Sequence, residues 1–258
     1  ITGSAAGLGA AIAEGLAKGG ADVIINYSKS LTEAEAVADA CRGHGAQVRL
    51  VKANVGEDAD CRALAEAAQS WGQLDILVNN AGITKMVPDH GDLEGLSKDD
   101  FLRLYAVNTV GPFMMVRACR PLLEASFQAR GRAASVLNIS SIAGVAGIGS
   151  SIAYAATKGA LNTLTLSLAR ALAPQIRVNA LCPGFIGTRW FKDAMGEDGF
   201  EAFRSRVEAA TPLKQASGPE DIADAALFFL SDASRHVTGE TLMVDAGTHL
   251  GFAPLTAR

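Results

Sequence analysis

Two patterns of apolar residues alternate along this chain: short continuous runs, and residues repeated at helical spacing. Short runs rich in β-branched residues, bounded by Gly, Asn or charged residues, predict buried strands. These runs are Ala21–Tyr27, Gln47–Val55, Leu74–Asn79, Ala134–Ser140, Ile176–Leu181 and Glu240–Val244. Between them, apolar residues recur at helical spacing and predict helices. The predicted helices are Leu8–Gly19, Thr32–Arg42, Asp58–Trp71, Ser97–Ser126, Ile152–Ala173 and Pro219–Leu230.

A further strand is indicated at the start of the sequence. Ile1-Thr2-Gly3 reads as the last residues of a strand, and we expect a short native segment to precede it. Runs such as Asp75-Ile-Leu-Val are almost continuously apolar, so helices should cover both faces of the sheet. Repeated β-α alternation predicts an α/β fold, a doubly wound parallel sheet of about seven strands. Sheets of this kind bind ligands at the carboxyl ends of their strands.

The domain organisation follows from what the sequence lacks. No Pro/Ser-rich linker or abrupt change in composition divides it, so we predict one domain over residues 1–258. The segment 188–213 departs from the β-α pattern and is too long for a plain connection. It carries aromatic and apolar residues among glycines and charges, namely Trp190, Phe191, Met195, Phe200 and Phe203. This predicts a lid over a binding site, which would explain both the length of the segment and aromatic residues that look exposed. The alternative is a packed insertion that contributes to a subunit interface.

Charge and cysteine usage narrow the class of protein. The net charge of −4 and the pI near 5.6 give no reason to expect a nucleic-acid partner. Four cysteines (Cys41, Cys61, Cys119 and Cys182) form no CxxC pair, which argues against a metal site or a redox motif. Their apolar neighbours indicate buried, reduced thiols and a cytoplasmic setting. We also expect no membrane association, since there is no apolar run of about 18 residues and no signal peptide.

A glycine-rich turn stands between the first strand and the first helix. In Thr2-Gly3-Ser4-Ala5-Ala6-Gly7-Leu8-Gly9, small residues would let the backbone approach a pyrophosphate closely. The N-terminus of the following helix would present free N–H groups to its charge. Within a βαβ unit this pattern predicts a Rossmann-type dinucleotide site, although such a turn can also serve tight packing alone.

Further motifs follow in a fixed order. They are Asn79-Asn80-Ala81-Gly82, Asn108-Thr-Val-Gly111, Asn138-Ile-Ser-Ser141, Tyr154-Ala-Ala-Thr-Lys158 and Pro183-Gly184. Together with TGSAAGLG, which is similar to TGxxxGxG, this ordered set resembles the short-chain dehydrogenases/reductases over essentially the whole chain. The resemblance implies a nicotinamide-dependent oxidoreductase that interconverts a ketone and a secondary alcohol, a small-molecule substrate.

Tyr154 and Lys158 are four residues apart on a predicted helix, so their side chains share one face. A phenol with a pKa near 10 is a poor base at neutral pH, but a nearby ammonium favours the phenolate. The pair is therefore suited to exchange a proton with an alkoxide or an alcohol. Ser141 closes a strand and could donate a hydrogen bond to the substrate oxygen. A buried tyrosine beside an amphipathic lysine is the structural alternative.

The resemblance extends to the remaining site residues. It implies that Asn108 helps to hold a water in a proton relay from the lysine, whereas a mid-helix asparagine can also form a purely structural hydrogen bond. The catalytic set is thus Asn108, Ser141, Tyr154 and Lys158. The implied cofactor-binding set is Gly3, Ser4, Gly7, Leu8, Gly9, Tyr27, Ser28, Lys29, Asn54, Val55, Asn80, Ala81, Gly82, Tyr154, Lys158, Pro183, Gly184, Ile186 and Thr188.

The choice between NAD and NADP depends on the end of the second predicted strand. NAD-specific folds commonly have an acidic residue there, whereas this chain has Asn26-Tyr27-Ser28-Lys29-Ser30. Ser28 and Lys29 could hold a 2′-phosphate, so NADP is favoured over NAD. Against this, Ala6 stands where many NADP-using relatives carry a basic residue.

The same residues bear on other possible functions and on the assembly. A non-catalytic nucleotide-binding regulator would not need the complete Ser-Tyr-Lys set, and a serine hydrolase would need a GxSxG elbow with a partnering histidine. Within the enzyme class, 3-oxoacyl-carrier-protein, sugar, polyol and steroid substrates remain open; Ala143–Gly149 and the lid aromatics indicate an apolar pocket. The resemblance implies a homotetramer built on Ser97–Ser126 and Ile152–Ala173. Small and apolar residues there fit such packing or could face the sheet (Ala106, Gly111, Ala160, Leu164 and Leu168).

Overall fold

A computed structural model describes residues 1–251, except for the side chains of residues 190–194. Six strands form within this range, and the pairings between them are parallel. They are β1 (Val23–Tyr27), β2 (Val48–Lys52), β3 (Ile76–Asn79), β4 (Ala134–Ile139), β5 (Ile176–Pro183) and β6 (Thr241–Val244). Each lies within a predicted segment or extends it by a residue or two. The parallel α/β fold predicted from the sequence is confirmed.

Residues 1–4 join two smaller sheets into one layer. β1 pairs with β2, and β3 to β6 pair in the order β3-β4-β5-β6. The Thr2 amide donates to the Val78 carbonyl at 2.9 Å, and the Ser4 amide donates to the Asn26 carbonyl at 2.9 Å. Residues 1–4 therefore occupy the position predicted for the seventh strand. The strand order reverses between them and β3, which is where doubly wound sheets bind ligands.

Helices cover both faces of this layer. They are α1 (Gly7–Lys18), α2 (Leu31–Gly43), α3 (Asp58–Glu66), α4 (Lys98–Tyr105), α5 (Gly111–Arg130), α6 (Ala143–Ala146), α7 (Ile152–Leu172), α8 (Arg189–Ala210) and α9 (Pro219–Leu230). Apolar residues of α3, α5 and α7 pack on one face of the sheet. Those of α1 and α9, and of α1 and α2, pack on the other. Aligned parallel strands thus direct their carboxyl ends to a single edge.

The helix predicted over Ser97–Ser126 is interrupted by a turn of π-helix. α4 ends at Tyr105, the π-helix spans Ala106–Val110, and α5 continues to Arg130. A π-turn inserts one extra residue, and such insertions are frequent at functional sites. The predicted Asp58–Trp71 helix also ends early, at Glu66, and a short 3₁₀ turn follows.

The segment predicted as a lid is mostly helical. α8 is kinked at Gly196, whose φ of 72° lies in the left-handed region. Phe200 is buried, contrary to the expectation of exposed aromatic residues, because its ring and that of Phe203 pack against Phe185. Met195 is exposed. The predicted lid residues Trp190 and Phe191 lie outside the described side chains.

Two residues assigned to a subunit interface face the interior of this chain. Gly111 is buried because its Cα packs near the Val55 carbonyl, and Leu168 belongs to the core cluster beneath α5. Exposed apolar side chains on the same helices are instead Leu102, Val110, Phe113 and Leu166. Across residues 1–251, none of the helices combines the length and apolar character that a membrane crossing requires.

Candidate active site

The glycine-rich turn is tied to the end of β3 by the side chain of Thr2. Its hydroxyl accepts hydrogen bonds from the amides of Asn80 and Ala81, both at 3.0 Å. In return, the Asn80 side-chain amide donates to the carbonyls of Thr2 and Gly3, at 3.0 Å and 2.9 Å. Asn80 therefore holds the turn through its side chain.

Asn26, which the sequence analysis did not assign to the site, ties the same turn to β1. Its Oδ1 accepts from the Gly3 amide at 2.8 Å, and its Nδ2 donates to carbonyls of the β2 segment. Asn26 is only 2% exposed. A polar residue inside the apolar run Val23–Tyr27 was the signal that could have identified it, because buried amides are kept where they are hydrogen-bonded.

Three glycines of the turn have no room or no permitted conformation for a larger residue. Gly3 and Gly7 have φ values of +61° and +57°. A Cβ at Gly9 would lie 2.5 Å from Asn80 Nδ2 and 2.6 Å from the Gly3 carbonyl oxygen. A Cβ at Gly7 would lie 3.3 Å from Thr188 Cγ2, so the start of α8 stands directly across from the turn.

The N-terminus of α1 fits an anionic ligand. Within the described residues, no side chain caps this helix, and its first turn holds no acidic residue. Uncapped N–H groups and the helix dipole attract phosphate. The Ser4 hydroxyl is not available to a ligand in this arrangement, because it donates to the Ile1 carbonyl and accepts from the Asn26 amide. Leu8 packs into the core, so both residues could serve a dinucleotide through their backbone alone.

Asn108 lies in the π-turn and is completely buried. Its Oδ1 accepts from the Ile83 amide at 2.9 Å, and its Nδ2 donates to the Ile83 carbonyl at 2.9 Å. The same Nδ2 donates to Thr157 Oγ1 at 3.1 Å. Asn108 thus fixes the segment after β3 to α7, one residue before Lys158. The structural hydrogen bonds weighed as an alternative role are therefore present.

Tyr154 and Lys158 lie on the first turns of α7. Ser151 caps this helix by accepting from the Tyr154 amide at 3.1 Å. Lys158 is 3% exposed, and its Nζ donates to the Ile139 carbonyl at 2.8 Å. This places the ammonium 5.6 Å from the centroid of the Tyr154 ring. Ser141 comes two residues after β4 ends, and its side chain is near enough to the Tyr154 phenol to affect the pKa of that phenol. The structure therefore brings the three residues together at the carboxyl ends of β4 and β5.

Burial governs the ionisation of both groups. Desolvation raises the pKa of the Tyr154 phenol to about 12, and the hydrogen bond from Ser141 opposes this rise. Desolvation lowers the pKa of the Lys158 ammonium to about 8. At neutral pH the tyrosine is protonated, and the lysine is largely charged.

Three polar residues beside this group were not predicted from the sequence to belong to the site, namely Ser140, Asn162 and Cys182. The Ser140 hydroxyl donates to the Lys158 carbonyl at 3.1 Å and so fixes α7 to the end of β4. The Cys182 thiol donates to Asn162 Oδ1 at 3.6 Å, and burial raises its pKa. Cys182 lies in β5 beneath Lys158 and is fully buried, consistent with a packing role. No local pattern marks such residues, because their partners are 18 or more positions away.

The remaining predicted residues line the same edge of the sheet. Ser28 and Lys29 follow β1 and are exposed. The Asn54 side chain accepts from the Gly56 amide at 3.1 Å, which shapes the turn after β2, while Val55 is buried. At the end of β5, Gly184 packs closely on Asp245, and Ile186 packs against the core. Among the described residues, no group of three or more His, Cys, Asp or Glu is placed to hold a metal ion.

Comparison with known proteins gives one consistent family. A family model described as enoyl-(acyl carrier protein) reductase matches residues 3–249. A Streptomyces violaceoruber protein, named as ketoacyl reductase 2 of the granaticin polyketide synthase, is 37% identical over 251 residues. The match covers 97% of this chain and 95% of the relative.

Two solved structures are similar over nearly the whole chain. A Burkholderia xenovorans protein, assigned by its name to the short-chain dehydrogenases/reductases, has a TM-score of 0.88 at 44% identity and 97% coverage of each chain. The 3-oxoacyl (acyl-carrier-protein) reductase of Agrobacterium tumefaciens, with NADP bound, has a TM-score of 0.84 at 32% identity. That match covers 96% of this chain and 92% of the other.

Proposed function

Because this chain belongs to the short-chain dehydrogenase/reductase family and is an oxidoreductase acting on C=O and CH–OH groups, we propose that it reduces a ketone with Tyr154 as its proton donor. The observation that carries this proposal is the convergence of Ser141, Tyr154 and Lys158 beside the glycine-rich turn. The reverse reaction, oxidation of the alcohol, uses the same groups. A purely regulatory nucleotide-binding protein would have no use for this convergence.

Proton transfer is the task of the three side chains. With a pKa of about 12, the phenol of Tyr154 keeps its proton at neutral pH and donates it as negative charge develops on the substrate oxygen. Ser141 donates a hydrogen bond to the same oxygen. Lys158 would hold the ribose of a bound cofactor, and its ammonium stabilises the phenolate left after proton transfer. Asn108 holds the segment that follows β3 in place against α7, and it helps to hold the relay water.

A nicotinamide dinucleotide fits the residues present, since the glycine cradle and the uncapped N-terminus of α1 match a pyrophosphate. A bound cofactor supplies the hydride in reduction and accepts it in oxidation. The glycine-rich turn would hold its phosphates, and residues 80–82 and 183–188 would line the nicotinamide half. Tyr27, Asn54 and Val55 would line the adenosine half. Exposed Ser28 and Lys29 favour NADP, which is the cofactor bound to the A. tumefaciens relative.

The substrate is a ketone on an apolar carbon skeleton. A Cβ at Gly149 would lie 4.0 Å from Tyr154 Cδ1, so the segment Ala143–Gly149 borders the reacting group. This segment exposes Val145 and Ile148. The hydroxyl groups of sugars and polyols would find few hydrogen-bond partners among these side chains, whereas ketoacyl chains, the substrates in the names of two relatives, match their apolar character. The segment 188–213 covers this pocket as a lid.

The whole chain acts as one cofactor-binding and catalytic domain in a cytoplasmic homotetramer. Exposed apolar residues on α4, the π-turn, α5 and α7 (Leu102, Val110, Phe113 and Leu166) supply the contact surface. Obligate contacts between subunits are characteristically apolar.

A cofactor-matched panel of ketones tests the function. The purified protein should oxidise NADPH with 3-oxoacyl thioesters or apolar cyclic ketones and turn over sugars poorly. Tyr154→Phe should lower kcat by about 10²–10⁴, as expected for loss of a general acid, while binding of the reduced cofactor persists. Tyr105→Phe, on α4, is the matched control. Near-normal turnover by Tyr154→Phe would exclude the proposed role of this tyrosine.

A further inference from the structure

The N-terminal end of α8 forms one wall of the proposed cofactor groove. Thr188, which precedes α8, lies opposite Gly7 at the start of α1. The N-termini of these two helices therefore face each other across the glycine-rich turn. Any ligand phosphate on α1 would lie beneath the first residue of α8, which is Arg189.

The opposite wall is formed by the end of β1 and the first turn of α2. The Ser4 amide binds the Asn26 carbonyl, which brings the end of β1 against the glycine-rich turn. α2 begins at Leu31, four residues after β1 ends at Tyr27. Glu33 lies in the first turn of α2. It is therefore adjacent to Ser28 and Lys29, the segment assigned to the adenosine ribose.

An ion pair connects these two walls. The Arg189 guanidinium donates to the Glu33 carboxylate, and the partners are separated by 156 residues in sequence. The Arg189 side chain is 62% exposed and that of Glu33 is 30% exposed. The pair therefore lies at the rim of the groove, where salt reaches it. Most other ion pairs on α2, α3 and α5 join neighbouring turns or helices and cross no groove.

We propose that Arg189 and Glu33 form a clasp that closes the groove over the bound dinucleotide and slows its release; this rests on the proposed function. Arg189 and Glu33 are positioning residues, since neither touches the reacting atoms. For the dinucleotide to leave, the walls at α8 and α2 must separate, which requires the ion pair to open. The clasp also explains why Arg189, a cation beside the phosphate sites, carries its own acidic partner.

Cofactor release measured by stopped-flow fluorescence tests the clasp. Exposed ion pairs are weak, so Glu33→Gln should accelerate NADPH release by about two- to fivefold at low salt. Added salt should accelerate release from the unmodified protein and have less effect on the variant. Glu35→Gln is the matched control: it removes the same charge from an exposed position of α2, and Glu35 has no ion pair with any described residue.

A double-mutant cycle separates the clasp from general effects of charge. If the two residues act as a pair, Glu33→Gln and Arg189→Gln together should release NADPH no faster than the faster single variant. Additive effects would overturn the clasp, as would equal release rates for Glu33→Gln and Glu35→Gln. Thermal unfolding without cofactor checks that each variant is folded. If the unmodified protein binds neither NADPH nor NADH, the proposed function fails and the clasp fails with it; normal binding with unchanged release overturns the clasp alone.

Discussion

Gly144 packs its Cα against the backbone of Lys158, and a Cβ at position 144 would lie 2.4 Å from the Lys158 carbonyl carbon. It would also lie 2.6 Å from the Gly159 amide nitrogen. α6, which follows Ser141, therefore contacts α7 without intervening side chains. This contact sets the spacing between the serine and the Tyr154–Lys158 pair.

Gly144→Ala should separate these elements, because a backbone contact of this kind cannot be relieved by rotating a side chain. We expect kcat to fall about tenfold or more, since displacements near 1 Å can cost about 10²-fold in rate. NADPH binding should weaken less than kcat falls, because the glycine-rich turn that would hold the phosphates lies away from this contact, although Lys158 moves with α7. Steady-state kinetics and a fluorescence titration measure the two effects. Gly43→Ala, where a Cβ meets nothing within 4 Å, is the control, and equal kcat values in both variants would contradict the argument.

Lys158→Met should weaken cofactor binding and change the pH profile of alcohol oxidation. Below its pKa of about 8, Lys158 is charged and favours the phenolate of Tyr154. As the pH rises through that value, Lys158 loses its charge and no longer stabilises the phenolate. Tyr154 has a pKa of about 12 without cofactor, so its deprotonation depends on such help. The variant should therefore reach its maximal rate at higher pH. An unchanged profile, measured beside the exposed-site control Lys52→Met, would remove Lys158 from this role.

Lys29→Glu should reverse the preference for NADPH. Charge-assisted hydrogen bonds contribute roughly 1.5–3 kcal/mol, which corresponds to about a tenfold or greater preference. Lys29 is exposed, so the effect should lie at the low end and weaken with salt. The glutamate would repel the 2′-phosphate and offer the ribose diol an acceptor. Titrations of both reduced cofactors at two salt concentrations decide the matter; tighter NADH binding by the unmodified protein is the adverse result.

Phe113→Glu should disrupt the assembly. Phe113 is 42% exposed on α5, and burying a carboxylate in an apolar interface carries a desolvation cost. Light scattering at micromolar concentration should show a tetramer for the unmodified protein and a smaller species for the variant. Leu213→Glu, which changes an exposed leucine after α8, should leave the mass unchanged. A monomeric unmodified protein would refute the homotetramer.

The sequence predicted the elements whose signals are local. The strands around Val78 and Val178 have apolar runs, and the glycine-rich turn requires φ values that only glycine adopts readily. The positions of Tyr154 and Lys158 on one helix follow from the helical repeat. The residue set at the carboxyl edge of the sheet was therefore largely predictable.

Features that depend on distant partners were not predictable. Helical periodicity identifies an apolar residue such as Leu168 but not whether it faces the sheet or a second subunit. The π-turn around Asn108 adds one residue to a helix, too small a change for periodicity to reveal. Phe200 looked exposed because its partner, Phe185, precedes the segment by several residues. Tertiary packing decided each of these.

The bond network between Thr2 and Asn80 affects the order in which the site can form. The two residues are 78 positions apart, yet their hydrogen bonds shape the glycine-rich turn. During synthesis the turn leaves the ribosome long before β3, and loop closure of this length has an entropic cost. The hydrogen bond from Asn108 to Thr157 can form only later, because Thr157 follows Asn108 by 49 residues. The nascent chain can therefore complete the glycine-rich turn before α7 is made, and a chain arrested before α7 would lack Tyr154 and Lys158, the residues proposed to transfer the proton.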